Sequence, residues 1–199
     1  MFPLESVLFP SAVLPLHVFE PRYRELTRRV LDGDGEFGVT LIERGSEVGG
    51  DARFAIGTRA RIVQAAELPD GRWALVAVGL RRIAVTRWLP DAPFPQADVD
   101  DLPEPAPGPE AGALLATADG LLRRTLGLRA ELGDPAAPAT VELALDVTTA
   151  AFQIAALAPI GPADAQRVLE TSGTDGRLRL LARLLEEEAE VLEARAAGG

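Results

Sequence analysis

The sequence contains no cysteine and no lysine, and only one histidine, one tyrosine and one methionine in 199 residues. Without cysteine there is no disulfide framework and no thiolate metal site. All twenty basic residues are arginine. A Walker A phosphate loop needs its Lys, and so does a Ser–Lys hydrolytic dyad, so ATPase and peptidase machinery of those kinds is excluded. One His with scattered acids makes no metal centre, and no cofactor motif is present. No apolar run is long enough to span a membrane. The most apolar window, Leu143 to Ile160, is interrupted by Asp146, Gln153 and Pro159. No basic segment followed by an apolar block opens the chain, so no signal peptide is expected. A cytoplasmic protein with no membrane partner is the natural reading.

Charge is divided unevenly. Up to residue 89 there are 12 Arg against 11 acids, a net of +1; from residue 90 there are 8 Arg against 19 acids, a net of −11. An acidic second half repels phosphate backbones and weighs against nucleic acid as a partner. Arg59, Arg61, Arg81 and Arg82 are expected to be solvated strand residues that pair with the acidic helical half.

The hydrophobic period changes along the chain. Residues 2–8, 12–19, 36–44, 54–66, 72–88 and 94–99 read as strands, with a helix from Pro21 to about Leu31. Pro21 suits the first helical position, where its missing N–H is not needed. Asp32-Gly-Asp-Gly is a turn; it lacks the ligand spacing of a calcium loop. Gly45–Asp51 is a loop, and Asp70-Gly71 a hairpin turn. Gly79 inside its strand signals a bulge or bend. Seven of the sixteen prolines fall between residues 90 and 109, and 102–109 reads as a semi-rigid linker. Helical periodicity then predicts helices over 110–132, 140–157, 162–170 and from Thr174 onward. This gives an α+β protein in three parts: a β subdomain (1–101), a Pro-rich linker (102–109) and a helical bundle (110–199).

The most informative stretch is Leu8 to Arg24. Its apolar run 12–19 alternates Leu14, Leu16 and Val18 with Val13, Pro15 and Phe19, which predicts a strand buried on both faces. Pro15 cannot donate a ladder hydrogen bond, so an edge or bulge is expected there. Glu20 stands at the helix start, spaced i,i+4 from Arg24 for a surface pair. His17 with Glu20 is a conceivable acid–base pair, but no nucleophile motif accompanies it and both residues have structural roles.

Phe2-Pro3-Leu4, Leu8-Phe9-Pro10 and Leu14-Pro-Leu-His-Val-Phe-Glu-Pro-Arg-Tyr23 resemble the opening of the Lon protease N-terminal, substrate-binding domain family. Gly57-Thr58, Asp70-Gly71-Arg72, Gly79-Leu80-Arg81-Arg82, Gln166 with Leu169-Glu170, and Arg177-Leu178 extend the resemblance along nearly the whole chain. Ile83 replaces the family's usual Phe. The chain looks like a stand-alone version without ATPase and peptidase domains. The resemblance implies an antiparallel β-barrel of the PUA-like type followed by a helical bundle. It implies non-catalytic binding of unfolded or apolar protein segments in a groove between the two, with a protease or chaperone as a further partner. The expected peptide contacts are His17, Phe19, Tyr23 and Trp88, with no catalytic residue and no metal. A hydrolase using His17 and Glu20, or an RNA-binding barrel, are the alternatives.

Overall fold

The computed structural model describes residues 1–44 and 52–198. The loop expected at Gly45–Asp51 lies outside them. The chain divides into two compact units, Met1–Pro103 and Glu104–Gly199.

The first unit contains strands β1 (Phe2–Leu4), β2 (Val13–Val18), β3 (Glu36–Arg44), β4 (Ala52–Glu67), β5 (Trp73–Leu89) and β6 (Gln96–Asp101), with helix α1 (Pro21–Leu31) between β2 and β3. The sheet order is β1-β3-β4-β5-β2, and β6 pairs with the second half of β5. The expected α+β architecture is observed, and the mostly antiparallel, barrel-like sheet is open and mixed, with β1 running parallel to β3. Closure needs edge strands that pair on both sides with a matching stagger. Here β1 has only three residues and β2 carries Pro15, so neither edge offers a full ladder.

Steric demands fix two sheet crossings. A Cβ on Gly79 would collide with the Phe9 carbonyl oxygen, and one on Gly57 with that of Val39. Leu80 is the extra residue of a bulge, because Arg59 pairs with Arg81 while Ala60 pairs with Gly79. The bend lets one 17-residue strand serve β2 at one end and β6 at the other.

The inner face of the sheet packs under α1. Val18, Leu75, Ala77, Val39 and Phe37 meet Tyr23 and Leu26, and Phe2 stacks on Tyr23 with ring centroids 4.3 Å apart. Val30, Leu14, Leu16 and Trp73 complete this core.

The second unit is helical: α2 (Ala111–Glu131), α3 (Val147–Leu157), α4 (Pro162–Glu170) and α5 (Thr174–Ala197). Leu178, Leu181, Leu185 and Leu192 recur at helical spacing on α5 and are fully buried with Leu122, Leu126 and Ile154. The helix expected from residue 140 begins only at Val147. The Asp146 carboxylate accepts hydrogen bonds from the Thr149 backbone N–H at 2.8 Å and its hydroxyl at 2.7 Å, which starts the helix there. Upstream, Arg123 donates to the carbonyls of Ala139 and Val141 and holds the chain extended. The Pro-rich segment lies against the start of α5: Arg177 donates to Glu104 at 3.1 Å, and the Gly108 N–H to Asp175 at 2.9 Å.

Candidate functional site

Strand β2 ends the sheet. The Gly79 N–H donates to Ala12, and the Ser11 N–H to Gly79. With the observed register, that phase directs the main-chain groups of Leu14, Leu16 and Val18 toward β5 and those of Val13, Pro15 and His17 toward the free edge. The same three residues expose their side chains. The expectation of a strand buried on both faces is therefore corrected. α1 covers one face, and among the described residues nothing covers the other enough to bury it.

Apolar exposure concentrates around this edge. Val13 is 64% exposed and Phe19 is 65% exposed. Across the ladder Val13 faces Val78, Pro15 faces Val76 and His17 faces Ala74, all half-buried on the β5 side. Val63, at the register shift of β4, is 59% exposed. At the end of β2 a cavity of about 50 Å³ is lined by His17, Val18, Phe19, Leu68, Arg72 and Trp73.

The structure brings only two of the four expected contact residues to this surface. His17 and Phe19 are exposed there. Tyr23 is 3% exposed beneath α1 and stacked on Phe2, so it is a core residue. Trp88 is half-buried at the far end of β5, where the Arg53 guanidinium lies 5.0 Å from its ring centroid. The reason is the length of β5: its two tryptophans sit at opposite ends. Trp73, Leu68 and Arg72 were not expected at the site. The Asp70-Gly71 turn was the available signal, since it folds β5 back beside β4, but the pairing of β2 with the start of β5 has no local signature.

Among the described residues no hydrogen bond joins His17 to Glu20. Glu20 accepts from Arg22 at 2.9 Å instead, and this also replaces the expected pairing with Arg24. His17 has no hydrogen-bonding partner among the described residues. No cluster of three or more metal-ligating side chains occurs among the described residues.

Five arginines of the sheet pair with acids of the same unit, and Arg82 is buried rather than solvated. Arg59, Arg61 and Arg81 each approach Glu36, and Arg59 and Arg81 also bind Asp101. The Arg81 hydrogen bond, then the charge of Arg59, holds the Asp101 carboxyl below the usual carboxylate range. Arg87 pairs with Asp98 and Arg53 with Asp91. Phosphate binding by these side chains would have to displace an acid from each.

A model of the ATP-dependent protease La (LON) substrate-binding domain matches residues 1–187. The chain is 31% identical over 192 residues to Lon protease 2 of Myxococcus xanthus, covering 94% of this chain and 23% of that protein. It is 29% identical to the Lon protease of Anaeromyxobacter dehalogenans over the same shares. The chain thus spans about a quarter of the length of the curated relatives it matches. The crystal structure of a Lon N-terminal domain protein from Xanthomonas campestris superposes with a TM-score of 0.65 at 28% identity, covering 90% of this chain and 94% of that one. The N-terminal domain of the Mycobacterium avium complex Lon protease shares the fold, with a TM-score of 0.64 at 21% identity over 93% of this chain and 97% of its own.

Proposed function

This chain belongs to the family of the ATP-dependent protease La (LON) substrate-binding domain, and from that premise we propose that it is a non-catalytic module that binds exposed apolar segments of other proteins. The observation that carries the reading is the open β2 edge, where Val13 at one end and Phe19 just past the other are largely exposed. Exposed apolar area in contact with unpaired main-chain groups is suited to an extended polypeptide, which supplies both a side-chain row and a backbone. His17 and Phe19 are the proposed contacts. The partner is an unfolded or apolar protein segment in the cytoplasm, delivered onward to a protease or chaperone, with no cofactor. No helix among the described residues is long and apolar enough to cross a membrane.

The absence of lysine supports a role without ATP hydrolysis or peptide cleavage of the Walker or Ser–Lys kind. The engagement of Arg59, Arg61, Arg81 and Arg87 with acids favours protein over RNA.

The test is a pair of titrations at two salt concentrations, with a permanently unfolded, carboxymethylated protein and with bulk RNA. The unfolded protein is expected to bind at about micromolar affinity or weaker, because apolar burial is offset by ordering costs. Its affinity should change little with salt. RNA binding that falls steeply with salt, with no binding of unfolded protein, would overturn the reading.

A further inference from the structure

Two hydrogen-bond donors at the end of β2 lack acceptors. The indole Nε1–H of Trp73 is buried with no partner, and Trp73 lines the small cavity beside Phe19. The Nε–H of Arg24 is likewise buried without an acceptor. Its guanidinium packs against the β4–β5 turn, where a Cβ on Gly71 would stand 3.2 Å from Nη1. Neighbouring charges are already matched: Arg22 with Glu20, Arg72 with Asp70, Arg28 with Glu67. Among the described residues no acid is paired with Arg24. A water-excluded donor without an acceptor is costly, and a native structure that keeps two of them at one turn calls for a ligand that satisfies them.

We infer that this corner recognises an extended polypeptide segment carrying an Asp or Glu beside a short aliphatic residue. The aliphatic side chain fills the cavity between Phe19 and Leu68. The carboxylate pairs with Arg24, and a main-chain carbonyl of the segment accepts from Trp73. The inference rests on the reading of the chain as a binder of protein segments and adds a charge requirement to it. The unmatched positive charge of Arg24 selects an anionic partner, and the narrow cavity beside Phe19 excludes a bulky one. The segment runs along the free edge of β2, which ends at this corner. Arg24 and Trp73 act as specificity-determining residues, because each donates to a group that only part of the client pool presents.

The experiment uses the full chain and two decapeptides of alternating Val and Ser, capped at both ends, which differ in one central residue, Asp or Asn. Affinities are measured by calorimetry for the wild type, R24Q and W73F. The wild type is expected to bind the Asp peptide about tenfold more tightly than the Asn peptide, as one charge-assisted pair allows. R24Q should bring that ratio to about one while leaving the thermal transition in place, since it removes a charge with no internal partner. W73F keeps an aromatic ring but deletes the donor, and should weaken both peptides about equally. Equal binding of the two peptides by the wild type, or a ratio unchanged in R24Q, overturns the charge requirement and leaves the binding-module reading standing. Failure of both peptides and of the unfolded carboxymethylated protein to bind overturns both.

Discussion

The guanidinium of Arg177 lies 3.9 Å from the ring centroid of Phe152, with its side chain wholly buried. It also donates to the Thr171 carbonyl at 3.1 Å and to Glu104 at 3.1 Å. A planar cation suits this position because it can stack on a ring and still donate in its own plane. Arg177→Ala removes the ion pair to Glu104 and the stacking partner of Phe152. It is expected to cost about 3 kcal/mol, toward the lower end for a broken buried pair because Glu104 is partly solvated. Urea unfolding followed by far-ultraviolet circular dichroism measures this; a loss under about 1 kcal/mol would show the pair to be dispensable.

Gly79→Ala places a methyl group against the Phe9 carbonyl oxygen, a backbone atom that cannot rotate away. The bulge at Leu80 and the bond from the Ser11 N–H to Gly79 must shift with it. The expected destabilisation is about 2–3 kcal/mol, in the range of overpacking. Thermal melts of Gly79→Ala beside Gly112→Ala give the comparison. Gly112 has nothing near its Cβ position and lies in a helix, so its replacement should stabilise by up to about 1 kcal/mol.

Ser11 has φ of 65°, a left-handed conformation unusual for a residue with a Cβ. It follows Pro10 in a turn closed by the Ala12 N–H to the Phe9 carbonyl. Ser11→Gly removes that strain and should stabilise the first unit by roughly 1 kcal/mol. An unchanged or lowered midpoint in chemical denaturation would mean that the serine side chain contributes something the turn geometry does not require.

Asp146 titrates below its ordinary value, held there by hydrogen bonds from the Thr149 hydroxyl and then its backbone N–H. A depressed folded value means the cap stabilises fully above the ordinary carboxyl range and is lost as pH falls through the lowered folded value. Carbon-detected NMR titration should place its midpoint below that of a free Asp. Asp146→Ala is expected to cost about 1 kcal/mol at neutral pH and to differ little from the wild type once both are fully acidified.

Phe19 is largely exposed, so Phe19→Ser should leave stability within about 0.5 kcal/mol and still weaken capture of unfolded protein several-fold. Loss of folding instead, seen by circular dichroism, would assign Phe19 to packing and remove it from the binding surface.

The parts of the fold that local chemistry specifies were readable. Pro21 at the first turn marked the start of α1, Asp70-Gly71 marked the β4–β5 turn, and Gly79 marked the bulge. Family resemblance and sheet pairing agree on the class of the protein but not on its closure. The openness of the sheet depends on which strands pair at a distance, and nothing local in Val13–Val18 encodes a missing neighbour. The apolar alternation there reads as two-sided burial for the same reason: a strand with both faces covered and a strand with one face open use the same residue types. Tyr23 and Trp88 were drawn to the site by their aromatic character, which a core uses equally well. The place of Trp73 beside the end of β2 has no local signal, because it depends on pairing opposite Val18.

Pro15 bears on how the protein behaves at high concentration. A free edge strand also meets copies of itself, and an uninterrupted row of donors and acceptors would let those copies stack edge to edge without limit. At Pro15 that row has a gap, opposite any carbonyl an incoming strand would present. A short segment can settle on either side of the gap, whereas a second folded sheet, rigid along its length, meets it squarely. The missing N–H at Pro15 disfavours such stacking, and Pro15→Val should show as rising light scattering before any change in the melting curve.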